Sequence, residues 1–325
     1  MRPGPSISVV AATYRRPQLL ARLVTAIEEQ TGVGPVELVI VDDASPDETS
    51  RELQRITEAT PLNLLALRLD YNCGPATARN KGWRAAHAPL IAFTDDDCVP
   101  QRGWLAALVT GLARADLVQG RTLPNPEQAA NVGPFSRTLE VTEEDGYYQT
   151  CNVGYRRELL DRLGGFDEEF PDAAGEDTDL AWRALAAGAV TAFEPDALVF
   201  HDIRPSNFSV ALRDTLRWRS AVLAAKKHPS LRDRFYRRYV WRASHPPAVL
   251  AGMGLLAAGA MPGPRWRKLA ALALIVPYVR FRTKQAPLAG GPRRRLAAIP
   301  FALVVDLTEV GVLARASVRQ RTLLL

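Results

Sequence analysis

Cysteine is scarce in this chain: among 325 residues there are three, Cys73, Cys98 and Cys151. No two of them stand at metal-ligand spacing, which excludes a cysteine-built zinc site and a disulfide framework; reduced thiols in a cytosolic setting are the expectation. Histidine is nearly as sparse, with four residues. No apolar stretch is an uninterrupted run of the ~20 residues that a simple spanning helix wants. Met1-Arg2-Pro3-Gly4-Pro5 leads straight into the strand-like Ile7-Ser8-Val9-Val10-Ala11, so no signal peptide is expected. Neither an internal repeat nor a low-complexity segment is visible. With 47% hydrophobic residues the chain is not broadly disordered, and its length suits one large domain or one and a half.

Charge is present but unevenly spread. Residues 204–325 hold 23 Lys/Arg against 4 Asp/Glu, whereas residues 1–203 hold 18 against 31. The overall +6 thus hides an acidic region and a strongly basic one, joined near Arg204-Pro205.

The acidic region alternates strand and helix signals. Strands are expected at Ile7–Ala12, Glu37–Val41, Leu64–Leu69 and Pro89–Thr94, with helices at Gln18–Gln30, from Ser45-Pro46-Asp47-Glu48 onward, and after Gly74-Pro75. Strands separated by helices of this length imply a mostly parallel sheet with right-handed crossovers. Two of the strands end in acids, Asp42-Asp43 and Asp95-Asp96-Asp97. One such tip can be turn chemistry, since Asp favours turns. Two tips in one parallel sheet converge on the edge where α/β folds bind ligands. Three adjacent carboxylates repel one another unless a cation sits among them, and all-oxygen ligands suit Mg²⁺ or Mn²⁺. Further along, Trp104–Ala113 reads as a helix and Leu117–Gly120 as a short strand, and Pro124–Asp145 as a polar, mobile loop.

Six segments together resemble the family 2 glycosyltransferases, which have the nucleotide-sugar-binding GT-A fold. They are Ala11-Ala12-Thr13-Tyr14-Arg15-Arg16-Pro17, Val41-Asp42-Asp43-Ala44-Ser45, Ala78-Arg79-Asn80-Lys81-Gly82, Phe93-Thr94-Asp95-Asp96-Asp97, Gly164-Gly165-Phe166-Asp167 and Glu176-Asp177-Thr178-Asp179-Leu180. They occur in the family's order, over residues 6–203. The resemblance implies inverting sugar transfer from a nucleotide-diphosphate sugar. It implies that Asp43 hydrogen-bonds the base or ribose, that Thr13 and Tyr14 meet the base, and that Arg79 lies near the nucleotide. Asp95 and Asp97 match the Asp-x-Asp motif, with Asp95 facing ribose or metal, Asp96 beside the donor and Asp97 on the cation. Asp177 matches the catalytic base, and His201 lies where several members place an imidazole metal ligand.

The chemistry asks for these residue types independently. A one-step displacement at the anomeric carbon needs one carboxylate to take the acceptor proton and a positive centre to neutralise the leaving diphosphate. It needs no covalent intermediate, so the missing Ser-His or Cys-His pair is no objection. Plainer readings stand beside these. Asp177 could simply cap the helix that follows, unless Thr178 or Asp179 does. His201 could be a satisfied strand-end residue. Asn152 suits a turn as well as a ligand contact. Gly164-Gly165 reads as a turn with Phe166 packing inward, and Cys98 as packing. Arg15, Arg16 and Lys81 could attract a diphosphate or merely solvate a face.

In the basic region, Leu212–Ala225 reads as a helix, and arginines 232, 234, 237, 238 and 242 interleave with Phe235, Tyr236, Tyr239 and Trp241. Three apolar stretches follow, Pro246–Pro262, Leu269–Phe281 and Leu296–Ala314. Short apolar helices flanked by basic and aromatic residues suit the interface of an anionic membrane, whereas nucleic-acid binders rarely carry such stretches. A soluble helical subdomain or dimer surface is the alternative. The expectation is therefore an α/β GT-A domain over 1–203 and a membrane-associated helical region over 204–325, acting at the cytoplasmic face on a lipid-linked or cell-envelope glycan acceptor, with Mg²⁺ or Mn²⁺. A sugar-1-phosphate nucleotidyltransferase would normally carry a Gly-rich basic loop after the first strand, which Thr13-Tyr14-Arg15-Arg16-Pro17 is not. An inactive transferase-fold scaffold would not need Asp43, Asp95, Asp97 and Asp177 together.

Overall fold

Val9 and Val10 are both fully buried, as are Leu38 to Val41 and Ile91 to Phe93. Strands apolar on both faces must be covered on both faces, and a parallel sheet between helices does this. The computed structural model describes residues 4–170, 172–260, 262–284 and 291–325. Met1–Pro3, the head of the N-terminus read above as no signal peptide, and residue 261 of the first apolar stretch lie outside them. The chain divides into two compact units. The first is Met1–Glu127 with Thr138–Asp202; the second is Gln128–Arg137 with Ile203–Leu325.

In the first unit the elements run β1 (Ile7–Thr13), α1 (Pro17–Glu28), β2 (Val36–Asp42), α2 (Thr49–Ala59), β3 (Asn63–Arg68), α3 (Pro75–Ala85), β4 (Leu90–Thr94) and β5 (Cys98–Pro100). Then come α4 (Trp104–Leu112), β6 (Leu117–Pro124), β7 (Asn152–Arg156), α5 (Arg157–Leu163), α6 (Glu176–Ala186) and β8 (Thr191–His201). One eight-stranded sheet has the order β3-β2-β1-β4-β7-β6-β8-β5. β1 to β4 are mutually parallel where they pair; β7 runs against both β4 and β6, and β5 against β8. Alternate residues face two cores. Val9, Leu38, Leu23 and Trp104 pack on one side, and Val10, Val39, Trp83, Phe93 and Leu180 on the other.

Two local expectations change. The second helix begins at Thr49 rather than at Ser45. Ser45 is already engaged, its hydroxyl accepting the Arg15 N–H at 2.9 Å, while Asp47 takes both the N–H and the hydroxyl of Thr49. The segment read as a mobile loop holds a 3₁₀ turn at Pro126–Asn131 and a bridge from Thr122 to Val141, so it is partly structured. The Gly164-Gly165 turn is as expected. Both glycines have positive φ, Asn80 holds both backbone groups of Phe166 at 2.8 Å, and the Phe166 ring meets Phe93 edge-on.

The second unit is helical: α7 (Phe208–Asp214), a 3₁₀ turn (Thr215–Trp218), α8 (Arg219–Lys227), α9 (His245–Ala260), α10 (Arg265–Leu272), α11 (Val276–Lys284) and α12 (Gly291–Gln320). The single helix expected at Leu212–Ala225 is thus two helices with a tighter turn between them. Ala248, Ala251, Tyr278 and Leu303 form a small core where α9, α11 and α12 meet. The two acids of α12 are buried and matched: Asp306 accepts from Tyr278 and Arg282, and Glu309 pairs with Arg242 at 2.7 Å. The segment Leu296–Gln320 is long and apolar enough to cross a bilayer by length and composition. Among the described residues, nineteen large hydrophobic side chains of this unit are exposed, against three in the first.

Candidate active site

β1, β2 and β4 are parallel and adjacent, so their carboxyl ends lie side by side. The register sets Thr13 opposite Asp42, and the next residue, Asp43, donates its N–H to the Thr13 carbonyl at 2.9 Å. Asp43 is buried, and its carboxylate accepts from the Cys73 and Gly74 N–H groups and from Asn72 at 2.8–2.9 Å. It thereby holds the turn that opens α3. Burial raises its pKa, against those hydrogen bonds. Tyr14 is exposed, and among the described residues its side chain has no hydrogen bond to the aspartates.

The three aspartates after β4 point in different directions. Asp96 turns inward, 2% exposed, where Thr13 Oγ1 donates to it at 2.8 Å and Arg16 Nη1 at 2.5 Å. Burial pushes its pKa up to about 6, opposed by Arg16 and reinforced by Asp97. Asp95 is the most open of the three and accepts from Arg79 Nη2 at 2.8 Å. Asp97 is buried, with Arg16 3.6 Å away.

His201 reaches this group through strand pairing, because β5 and β8 set Cys98 opposite His201. Its Nδ1 lies 2.9 Å from the Asp202 carbonyl, and its Nε2 lies 3.9 Å from Asp97 Oδ1. A carbonyl only accepts, so Nδ1 carries the hydrogen, and in the neutral ring Nε2, the nitrogen nearer Asp97, carries the lone pair. This is the tautomer that a metal-binding imidazole requires. One ligand atom each of Asp97, Cys98 and His201 fits within 4.8 Å of the others. Burial, with Cys151 and Asp97 nearby, raises the Cys98 pKa well above its ordinary value, so the thiol stays protonated and packs. The usable donors are then a carboxylate and an imidazole, a set that fits Mn²⁺ and, less closely, Mg²⁺.

Asp177 lies within electrostatic reach of Arg79. The N-cap of α6 is Gly175, at φ +92°, without a side-chain capping bond. Asp177 sits in the first turn and accepts the Thr178 N–H at 2.8 Å, so part of its role is local. Glu176, which sequence reasoning left without a role, is buried, and its Oε1 accepts Arg79 Nη1 at 2.8 Å. Arg79 therefore joins Glu176 to Asp95. Burial pushes the Glu176 pKa up to about 7, with Asp177 adding to the rise and Arg79 opposing it. Burial raises Asp177 as well. A carboxylate held above its ordinary pKa is a stronger base once ionised.

Arg79 binds Asp95, Thr13 and Arg16 bind Asp96 with Arg16 also near Asp97, and His201 lies 3.9 Å from Asp97; the consecutive aspartates join these groups, and Asp177 lies within electrostatic reach of Arg79 and Asp95. Asp43 joins through the backbone, and Tyr14 stands apart. Arg16 also belongs to the group, pairing with Asp96 and approaching Asp97; its place three residues past the end of β1 was the available signal. Asn152 is fully used in the core, bonding Trp104, Arg121 and Ala197.

Carboxylates, a buried arginine and an imidazole gathered at one edge of a mixed sheet are the arrangement of a GT-A glycosyltransferase. The description "Glycosyl transferase family group 2" matches residues 90–305, and "Glycosyl transferase family 2" matches residues 8–164. The chain belongs to the family 2 glycosyltransferases. The succinoglycan biosynthesis protein ExoO of Rhizobium meliloti is 32% identical over 252 residues, covering 72% of this chain and 69% of that protein. The pre-mycofactocin glycosyltransferase of Mycobacterium tuberculosis is 29% identical over 250 residues, 70% of this chain; the match spans about half of that relative's length. Among solved structures, a mannosyltransferase from Pyrobaculum calidifontis, in complex with GDP-Man and Mn²⁺, shares the fold at a TM-score of 0.63 and 21% identity, over 95% of this chain and 88% of its own.

Proposed function

We propose that the protein transfers a sugar from a nucleotide-diphosphate sugar to a hydroxyl acceptor, with inversion, by direct displacement. The acceptor is a lipid-linked or cell-envelope glycan, and the site works at the cytoplasmic face of the membrane. The observation that carries the reaction is Arg79, which ties Asp95 on the Asp-x-Asp side to Glu176 beside Asp177.

Asp177 takes the acceptor hydroxyl proton as that oxygen attacks the anomeric carbon. Glu176, held by Arg79, keeps the start of α6 and hence Asp177 in place. Asp43 and Thr13 receive the base and ribose, with Tyr14 at the rim, while Asp95 and Arg79 border the donor. Asp96, bound by Thr13 and Arg16, fixes the turn from which Asp95 and Asp97 project. Asp97 and His201, with Asp95 nearby, would hold Mg²⁺ or Mn²⁺. When bound, such an ion neutralises charge on the leaving nucleoside diphosphate.

Support for the location comes from the second unit, which combines 23 Lys/Arg over residues 204–325 with most of the exposed large hydrophobics. The succinoglycan pathway named for one relative is consistent with a glycan acceptor. The test is a thermal-shift panel of nucleotide sugars with and without Mn²⁺, followed by analysis of the released nucleotide. A metal-dependent rise with one donor and release of nucleoside diphosphate is expected; release of pyrophosphate would overturn the transfer reading.

A further inference from the structure

The second unit holds an arginine whose environment is incomplete. Arg217 lies in the 3₁₀ turn Thr215–Trp218, with its guanidinium carbon 4.3 Å from the centroid of the Trp218 ring. Arg242 stacks on the same ring at 5.0 Å, and Trp218 leans on Trp241 at 5.2 Å. The charged groups acting on Arg217 are Arg137, Arg242, Asp214 and Glu309. Both acids already have a cation of their own. Asp214 pairs with Arg137, while Glu309 pairs with Arg242 and has His245 at 3.4 Å.

Arg217 is therefore the surplus positive charge. It makes no ion pair or hydrogen bond among the described residues, and its Nε is buried without a partner. Burial and the neighbouring arginines push its pKa down to about 10, so it remains charged at neutral pH. Stacking on Trp218 satisfies the face of the guanidinium but leaves its edge of N–H donors unmatched. A planar fork of donors of this kind fits phosphate oxygens. The next residue back, Leu216, is 55% exposed, which places an apolar side chain beside the same turn.

We infer that Arg217, beside Arg242 on the Trp218 ring and with Arg137 adding positive charge, binds the phosphate of a membrane lipid. The inference rests on the membrane reading of this unit and adds to it a defined site. A phosphate there would complete the arginine edge, and Leu216 would enter the acyl boundary. Free phosphate or pyrophosphate offers the same oxygens without the apolar phase.

The test compares the full chain with Arg217→Gln and with Arg213→Gln, a control at an exposed position on α7. Binding to vesicles of phosphatidylcholine containing anionic phosphatidylglycerol is measured by co-sedimentation. One arginine near such a surface changes affinity about fivefold. The expected result is a loss of at least that size for Arg217→Gln and little change for Arg213→Gln, with melting curves confirming that both variants are folded. Equal losses for both variants would mean diffuse charge attraction and overturn the site. Unchanged binding of Arg217→Gln would overturn it too, while leaving the membrane reading intact. Absence of wild-type binding to any anionic vesicle would sink the membrane reading and the lipid site together. Pyrophosphate that stabilises wild type but not Arg217→Gln would then assign the arginine to a soluble ligand.

Discussion

His201 Nε2 stands 3.9 Å from Asp97 Oδ1, and the opposite ring nitrogen is fixed on the Asp202 carbonyl. That distance is too long for a direct hydrogen bond and leaves the two atoms on either side of a common point. His201→Ala should weaken Mn²⁺ binding about 100-fold, as judged by the loss of a first ligand where lesser changes cost 10–100-fold. Isothermal titration of Mn²⁺ into the variant measures this; wild-type affinity would remove His201 from the metal site.

Asp177→Asn should preserve nucleotide binding and lower turnover by about 10²–10⁴-fold, the usual contribution of a positioned base. Thermal shift with the donor and a nucleotide-release assay separate the two effects. Near-normal turnover would refute the assignment.

Glu176 gives a pH prediction with a defined sign. Its pKa rises from 4.5 unfolded to about 7 folded, so between those values the folded state holds more proton than the unfolded one. The stability tied to this group is therefore present below pH 4.5 and is lost as pH climbs to about 7. Melting curves from pH 4.5 to 8 should show wild type losing ground to Glu176→Gln with rising pH. A constant difference between the two would contradict the raised pKa.

Gly165→Ala should destabilise the first unit by about 2–4 kcal/mol, measured by urea unfolding. Gly165 has φ +81°, and a Cβ there would come within 2.4 Å of Asn80 Oδ1 and 2.6 Å of Trp83 Nε1. Both are buried atoms already committed to hydrogen bonds, so neither can retreat cheaply. A loss under 1 kcal/mol would mean that the turn relaxes easily.

The first half of the sheet was legible because local signals suffice there. β1 to β4 are mostly apolar, each followed by turn residues or acids. The second half was not, because its order is set by pairing between distant segments. Nothing near Cys98 announces that it will sit opposite His201, and nothing near Arg79 announces Glu176, 97 residues away. Asp95, Asp96 and Asp97 read alike in sequence, and only their partners tell them apart. Ser45 and Asp47 misled because both suit a helix cap, and the choice was made by Arg15 on a different strand end. In the basic region, Asp306 and Glu309 seemed to interrupt an apolar helix; their burial against Arg282 and Arg242 hides them from it.

The β5–β8 ladder is only three residue pairs long, yet it brings together side chains that are 104 positions apart in the chain, Asp97 and His201. Slipping that ladder by one step would turn the imidazole to the opposite face of the sheet. A cation clasped by both would therefore recognise finished tertiary structure and ignore the nascent chain. It would also lock the sheet's outermost edge, and chelators should loosen β5 before they disturb the parallel strands at the other end.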